Sequence, residues 1–404
     1  MAMKIIEHAL KYEDRVRAFN RRMKQKGSDW AFYEHPVPQW IPKKGDQSVW
    51  RQFYLVLDDQ DEVRGGYCLK RQAFWFGGQV HRIASFQGPV SEGAVDRKYN
   101  LVAVRVMLDM LAREPLMFAY GSNPEVTKLL RAGKWWVTRI PLCLKVTRPY
   151  RFLRRNRMLR NSTSRKCILD ALAFSGLGCI GLRGAASMSK IVHHCPSRAK
   201  YEIVETFDDW TDELWHRSRS SYDIVAVRDK EALNLLMPKE GWPPVTRLKI
   251  KLGNQVIGMA AVLDTQMQDD RRFGSLRVGT IVDSFGLLEH AGRVVAAAAN
   301  FLEQSGVDLV IANQTHPQWL RGFRANGFHV LQRRRVLALS SALQRHWGAT
   351  ESVLHGLHMT NLDGDGPLGL APAGPPLPAT DPEPAGSKPR AEGVVSRNIR
   401  VATN

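Results

Sequence analysis

The chain has 404 residues and a formal net charge of +19 at pH 7. That length accommodates two cores of ordinary size, and the charge favours an anionic partner: coenzyme A, a sugar nucleotide, an acidic membrane surface or nucleic acid. The five cysteines are scattered, with no C-x-x-C pair to suggest a zinc or redox site, which suits a reducing cytosol.

The N-terminal sequence is interrupted by charge, so no secretory signal is expected, and no apolar run is long enough to predict a membrane span. Val16, Phe19 and Met23 fall at helical spacing within Tyr12–Gln25, and Gly27 ends the pattern. Pro36, Pro38 and Pro42 mark an irregular loop carrying Trp30, Phe32, Tyr33 and Trp40; these aromatics either pack on a sheet or line a cleft. Phe53–Leu57, Val63–Phe76 and Val80–Val90 are rich in β-branched and aromatic residues, with turn signals at Asp58-Asp59 and Gly77-Gly78. They predict an antiparallel meander. A helix over Leu101–Leu111, a strand over Leu116–Tyr120 and a helix around Glu125–Arg131 follow.

The composition then changes abruptly. Arg148, Arg151, Arg154, Arg155, Arg157, Arg160, Arg165 and Lys166 occur without an acidic residue, and Cys167–Leu182 is apolar apart from Asp170. This linker reads as a solvated basic helix followed by a packed one, or as an interfacial segment on anionic lipid. The second half opens with a strand at Tyr201–Glu205 and helices at Asp209–Ser221 and Asp229–Leu236. Strands follow at Val245–Lys251, Val256–Leu263 and Ser275–Phe285, with a plausible hairpin turn at Gly253-Asn254. A helix over Arg293–Gln304 leads to the strand Leu309–Ala312, a polar break at Asn313–Pro317, a helix bearing Trp319, Leu320 and Phe323, and a strand through Val330–Leu339. Ser352–Thr360 alternates as an edge strand does. From Asp363 the sequence is too poor in large apolar residues to predict folding, and a disordered tail is expected.

Two stretches share one order of strand, loop and glycine-stopped helix: Leu116–Trp136 and Asp308–Phe328. This unit resembles the end of the acyl-coenzyme A binding core in the GNAT superfamily of N-acyltransferases. In the second copy His316 stands at the usual Asn position, Phe323 at the usual Tyr, and Gly327-Phe328 at the Gly-Phe pair. In the first, Asn123 and Trp135 match the ends, Leu130 replaces the Tyr and Gly133 falls one residue early. The resemblance implies an α+β chain of two fused GNAT-like domains, 1–147 and 199–362, each with a mixed, mostly antiparallel sheet flanked by helices. A linker over 148–198 and a tail over 363–404 complete the expected organisation.

It also implies acetyl-CoA or another acyl-CoA as the acyl donor, bound at the turn before each central helix, where a helix N-terminus presents unpaired N–H groups to phosphate. Arg97 leads that turn in the first half, but bulky Val102 occupies a position where a small residue is usual. Gly286, Gly292 and Arg293 flank it in the second half. With Asn313 and Asn123 in the loops, these are the candidate cofactor residues, and the second half is the preferred site. The usual tyrosine acid is missing from both copies. Asp283, His316 and Tyr222 in the second half, or Glu92 and Tyr120 in the first, are its substitutes by residue type, although a structural role such as capping a helix or bonding a turn is the commoner explanation for each. His193-His194-Cys195 lacks a second ligand cluster, so no metal is expected.

The activity implied is acyl-CoA dependent N-acyl transfer, acetyl by default, to an amino group of a sugar nucleotide or of an envelope or exopolysaccharide precursor. The segment Arg228–Asn234 looks like a motif of polysaccharide and envelope transferases. A cytoplasmic enzyme, peripheral to the inner face of a membrane if the linker meets lipid, is expected. Two alternatives stand beside it: a catalytically degenerate scaffold at a membrane-associated polysaccharide synthesis complex, and an aminoacyl-tRNA dependent transferase.

Overall fold

The computed structural model describes residues 3–182, 184, 199–241, 243–348 and 356–370. The first half contains β1 (Lys4–Glu7), α1 (Glu13–Gln25), β2 (Trp50–Leu57), β3 (Val63–Phe76), β4 (Gln79–Ser91), α2 (Leu101–Arg113), β5 (Met117–Tyr120), α3 (Pro124–Ala132) and β6 (Trp136–Val146). Helices α4 (Pro149–Arg155) and α5 (Thr163–Phe174) form the connection. The second half contains β7 (Lys200–Val204), α6 (Asp209–Ser218), β8 (Ile224–Ala226), α7 (Lys230–Leu236), β9 (Thr246–Leu252), β10 (Gln255–Gln266), β11 (Arg277–Gly286), α8 (Ala291–Gln304), β12 (Leu309–Asn313), α9 (Pro317–Ala325) and β13 (His329–Leu339). A short helix, α10 (Ser341–His346), and β14 (Leu357–His358) come last.

With β8 and α7 set aside as an insertion, the second half repeats the element order of the first. Each half runs from an antiparallel meander through a central helix into one parallel pairing, β4 with β5 and β11 with β12. The repeat has a shared packing cause. A Cβ on Gly65 would lie 2.8 Å from Val102 Cγ1, and one on Gly258 would lie 2.4 Å from Val294 Cγ2. In both halves a glycine on the middle strand of the meander lets a valine of the central helix press onto the sheet. Val102 is therefore fully buried against the sheet, so its bulk is turned away from the turn that precedes it.

The α+β expectation holds, but the halves do not form two sheets. The strands lie in the order β1-β2-β3-β4-β5-β13-β6-β12-β11-β10-β9-β7. Each half gives its last strand to the other: β13 pairs with β5, and β6 pairs with β12, all antiparallel. The short strand β8, missed in the sequence, pairs with β3 of the first half. Its three residues are all buried, so they lack the alternation that marks a half-exposed strand.

The C-terminal segment departs most from expectation. The edge strand expected over Ser352–Thr360 reduces to β14, which pairs parallel to β8 and is buried on both faces; residues 352–355 lie outside the described residues, as does His193-His194-Cys195. The disordered tail expected from Asp363 does not start there. Asp363 is fully buried, and Gly366–Leu370 form a 3-10 turn against Trp40. The cause is electrostatic: buried cations elsewhere in the fold meet this segment, as set out below.

Candidate active cleft

In both halves the parallel pairing is short, and the two strands part beyond it. β4 and β5 match only over Ala84–Phe86 against Met117–Ala119. β4 then continues to Ser91, while β5 ends at Tyr120 and turns at Gly121, whose φ is +81. On its β5 side, the main chain of Gln87–Val90 has no strand alongside among the described residues. Gly88, at φ +52, kinks β4 where its register with β3 shifts, which bends the strand away from its neighbour. The opening is a pocket lined by Trp30, Tyr33, Phe86, Gly88, Tyr120, Ser122 and Asp365 among others.

The matching opening of the second half is filled by the chain itself. β11 and β12 pair only from Val278–Leu309 to Ile281–Ala312. Beyond that point Leu362 N–H donates to Val282 O (3.2 Å), the Thr360 hydroxyl donates to Asp283 Oδ1 (2.8 Å), and Thr315 N–H donates to Met359 O (3.2 Å). Residues 357–363 thus lie between the diverging strands, bonded to both. From there the segment crosses to the first half. Lys70 Nζ donates to Leu362 O (2.9 Å) and Gly364 O (3.0 Å), and Gln87 Nε2 to Gly364 O (2.8 Å). Asp365 then reaches the wall of the open cleft.

Buried charge holds this strap in place. Arg228, fully buried, donates to Asp283 Oδ2 (2.8 Å) and Asp363 Oδ1 (2.7 Å). Burial pushes the Asp283 carboxyl up, whereas Arg228 and Lys70, acting against burial, hold Asp363 below the usual range. Burial lowers the Lys70 ammonium to about 7. Arg335 Nη1 bonds Asn313 Oδ1 (3.0 Å) and Asn361 Oδ1 (2.9 Å), and its Nη2 lies 3.6 Å from Asp365 Oδ2. Asp365 remains 21 % exposed; burial pushes its carboxyl up against the pull of Arg335, Arg51 and Lys70. The Tyr120 hydroxyl, in the same pocket, is buried and makes no hydrogen bond among the described residues. Burial raises its pKa, so it stays protonated near neutrality.

The structure disperses the candidates read from the sequence. Asp283 is locked to Arg228 and Thr360 and cannot act as a free base. The Tyr222 hydroxyl donates to Gly286 O (2.7 Å) and accepts from Trp319 Nε1 (3.1 Å), so its proton is engaged. His316 caps α9 by accepting Gln318 N–H at Nδ1 (3.2 Å), and burial lowers it to about 3, which leaves it neutral. Glu92 is buried beneath Arg22 (3.3 Å), Arg64 (3.1 Å) and Lys26 (3.9 Å). Asn313 is spent on Pro141 O (3.1 Å) and Arg335.

Gly286 has φ +153, and a Cβ there would lie 2.4 Å from Ile257 O, so β10 requires the glycine. Gly292 sits beneath α9, its carbonyl accepting from Asn326 Nδ2 (2.8 Å), and Arg293 Nη1 lies 2.9 Å from His290 Nδ1. The half preferred from the sequence is thus the one whose opening is filled. Asn123 lines the open cleft and caps α3 through Val126 N–H (2.8 Å), while Arg97 is exposed in the turn before α2. Asp365 was missed because it lay within the stretch read as tail.

The residues of the first cleft fit an extended thioester arm: a strand edge and a hydroxyl without partners among the described residues, and aromatic walls. They fit a phosphate turn less well. Between β4 and α2, the N–H groups of Gly93, Val95, Asp96, Lys98, Tyr99 and Asn100 are all satisfied within the turn, so exposed Arg97 and Lys98 are the nearby charges for an anion.

No protein-family model matches the sequence, and no curated protein does. The chain is similar in architecture to solved GNAT-fold N-acyltransferases. One is a protein of Enterococcus faecalis described as a probable N-acyltransferase, with 9% identity over 85% of this chain and 73% of that one, TM-score 0.46. A second is the N-myristoyltransferase of Saccharomyces cerevisiae solved with myristoyl-CoA and inhibitors, with 10% identity over 84% and 79%, TM-score 0.48. A tandem GNAT protein of the clavulanic acid biosynthesis pathway shares 12% identity over 84% and 99%, TM-score 0.45. No helix among the described residues is long and apolar enough to cross a membrane.

The buried histidines of the strap region give a stability prediction. His358, bonded to Ser284 O (2.9 Å), is lowered to about 4 by burial and Arg228, and His316 to about 3. Both have an ordinary value of 6.5, so below that pH the unfolded chain binds protons that the folded chain does not. Stability should be fully retained above about pH 6.5 and fall steadily towards pH 4. Urea midpoints measured across that window should show the slope, and His358→Gln should flatten it; an unchanged slope would refute the assignment.

Proposed function

We propose that the protein is an acyl-CoA dependent N-acyltransferase whose chemistry takes place in the first-half cleft, with acetyl the default acyl group. The observation that carries the reading is the contrast between the two openings. One has a strand edge left unpaired among the described residues, and the other is filled by a segment that goes on to deliver Asp365 into the first. The second half then serves as a structural partner with a closed cleft.

A thioester arm laid along Gln87–Val90 meets, on the side away from β3, main-chain groups that no strand among the described residues uses. Amine attack forms a C–N bond at the thioester carbonyl and breaks the C–S bond. One proton must leave the nitrogen and one must reach the sulfur. Asp365, with its raised affinity for a proton, is the acceptor, and Tyr120 is a protonated donor in the same pocket, its hydroxyl without a hydrogen-bond partner among the described residues. An amino group of a sugar nucleotide or glycan precursor is the acceptor that the sequence resemblance favours, and Trp30 at the cleft offers an aromatic face for a sugar ring. Arg228–Asn234 contributes nothing to that choice, since Arg228 is internal and Asp229 caps α7 through Ala232 N–H (2.8 Å).

Isothermal titration of the full chain with acetyl-CoA tests the reading. Binding is expected, and Ser122→Trp, which places an indole in the first cleft, should abolish it without lowering the melting temperature. Wild-type binding that survives Ser122→Trp would move the donor out of this cleft, and no binding of any acyl-CoA by the wild-type chain would overturn the proposed activity.

A further inference from the structure

The connection between the halves carries an unusual surface. Helices α4 and α5 and the helical turn 177–182 are held to the sheet by Phe152, Leu153 and Ala173, which pack with Met267, Leu276, Val278, Leu309 and Ile311. On the side turned away from the sheet, large apolar side chains stand in solvent: Ile168 is 58 % exposed, Phe174 66 %, Leu177 65 % and Ile180 69 %. Leu172 lies one turn beyond Ile168, also exposed. Tyr150 and Arg154 lean on the Phe174 ring, at 6.1 Å and 4.7 Å from its centroid, and still leave it largely exposed; exposed apolar side chains grouped on adjoining elements mark an interaction site more often than scattered single ones do.

Charge selects the occupant. Arg148, Arg155, Arg157, Arg165 and Lys166 are all exposed, and none has a carboxylate partner among the described residues. The one acid of α5, Asp170, is already neutralised by Arg160 (2.6 Å) and Arg154 (3.0 Å). A second copy of the chain would bring the same cations against this face and repel it. Nucleic acid would use the cations but leave Leu177 and Ile180 in water. An anionic bilayer satisfies both groups at once, apolar side chains entering the acyl boundary while arginines and lysine stay among the headgroups.

We infer that the hairpin formed by 149–182 docks the protein onto an anionic lipid surface, lying in the interface rather than spanning it. The inference does not depend on the acyl-transfer reading, because it rests on a different face of the molecule.

Co-sedimentation of the full chain with vesicles tests it. Vesicles of phosphatidylcholine containing phosphatidylglycerol should bind the chain, those of phosphatidylcholine alone should bind it weakly, and added salt should release it as the exposed charges are screened. Leu177→Glu with Ile180→Glu should keep the melting temperature, since both side chains are exposed, and should reduce partitioning by on the order of tenfold or more. Arg155→Glu with Lys166→Glu should remove the preference for anionic vesicles. Absence of binding to the anionic vesicles would overturn the inference. So would binding that the apolar pair leaves unchanged, because adsorption would then be by charge alone. A wild-type dimer that the same pair converts to monomer, without vesicle binding, would assign the face to a second copy instead.

Discussion

Asp365→Asn should lower turnover by roughly 10²- to 10⁴-fold, the range typical of a general acid or base, while acetyl-CoA affinity stays unchanged. The carboxyl lies at the wall of the open cleft, and burial raises its pKa while Arg335 stands 3.6 Å away. An asparagine keeps the size and the polar contact with Arg335 but cannot take a proton. A purely structural role would appear as a lower melting temperature and weaker binding together. The catalytic role appears as a loss in kcat alone, with the acidic limb of the kcat–pH profile abolished in the variant and restored in Asp365→Glu. Tyr120→Phe should leave binding intact and reduce kcat if its hydroxyl serves the departing sulfur. Full turnover in Asp365→Asn with an identified amine acceptor would remove this residue from the mechanism without touching the fold.

Local pattern revealed the repeat but not how its two copies join. The meander strands, the central helices and the two strand-loop-helix units were legible because each carries its own periodicity: Val102, Val106 and Met110 line one side of α2, and Val294, Val295, Ala298 and Leu302 line α8. The exchange of β6 and β13 was not legible, because an antiparallel strand with one suitable edge pairs equally well with either half. The strap was misread for a different reason. Residues 363–370 are rich in glycine and acid and look unable to fold, yet Asp363 and Asp365 meet cations drawn from Lys70, Arg228 and Arg335, far away in sequence. No window of sequence contains both sides of those contacts. The filling of the second opening was illegible for the same reason, since what closes it is that same segment. His316, followed by proline, was legible as a helix cap, and capping is what it does; Asn123, read as a cofactor residue, caps its helix in the same way.

Arg228→Met should destabilise the fold by about 3–5 kcal/mol, the cost typical of removing one partner from a buried ion pair. Arg228, Asp283 and Asp363 have no exposed surface. Without the guanidinium, two carboxyls that already share one cation would face each other, with only Lys70 near Asp363 to offset their charge. One must take up a proton or water must enter, and either outcome loosens residues 357–363 from β11. The size of the loss says what the cluster does, because replacing a whole buried ionic group by neutral residues is often close to neutral for stability. Arg228→Met combined with Asp283→Asn and Asp363→Asn should therefore recover most of the loss, and the non-additivity of the three changes would measure their coupling. Urea unfolding of the single and triple variants gives both numbers. If Arg228→Met costs less than about 1 kcal/mol, the range of an exposed pair, the strap is held by its main-chain bonds alone. In that case Asp365 would owe its place in the first cleft to Lys70 and Gln87 rather than to the charge at the centre of the sheet.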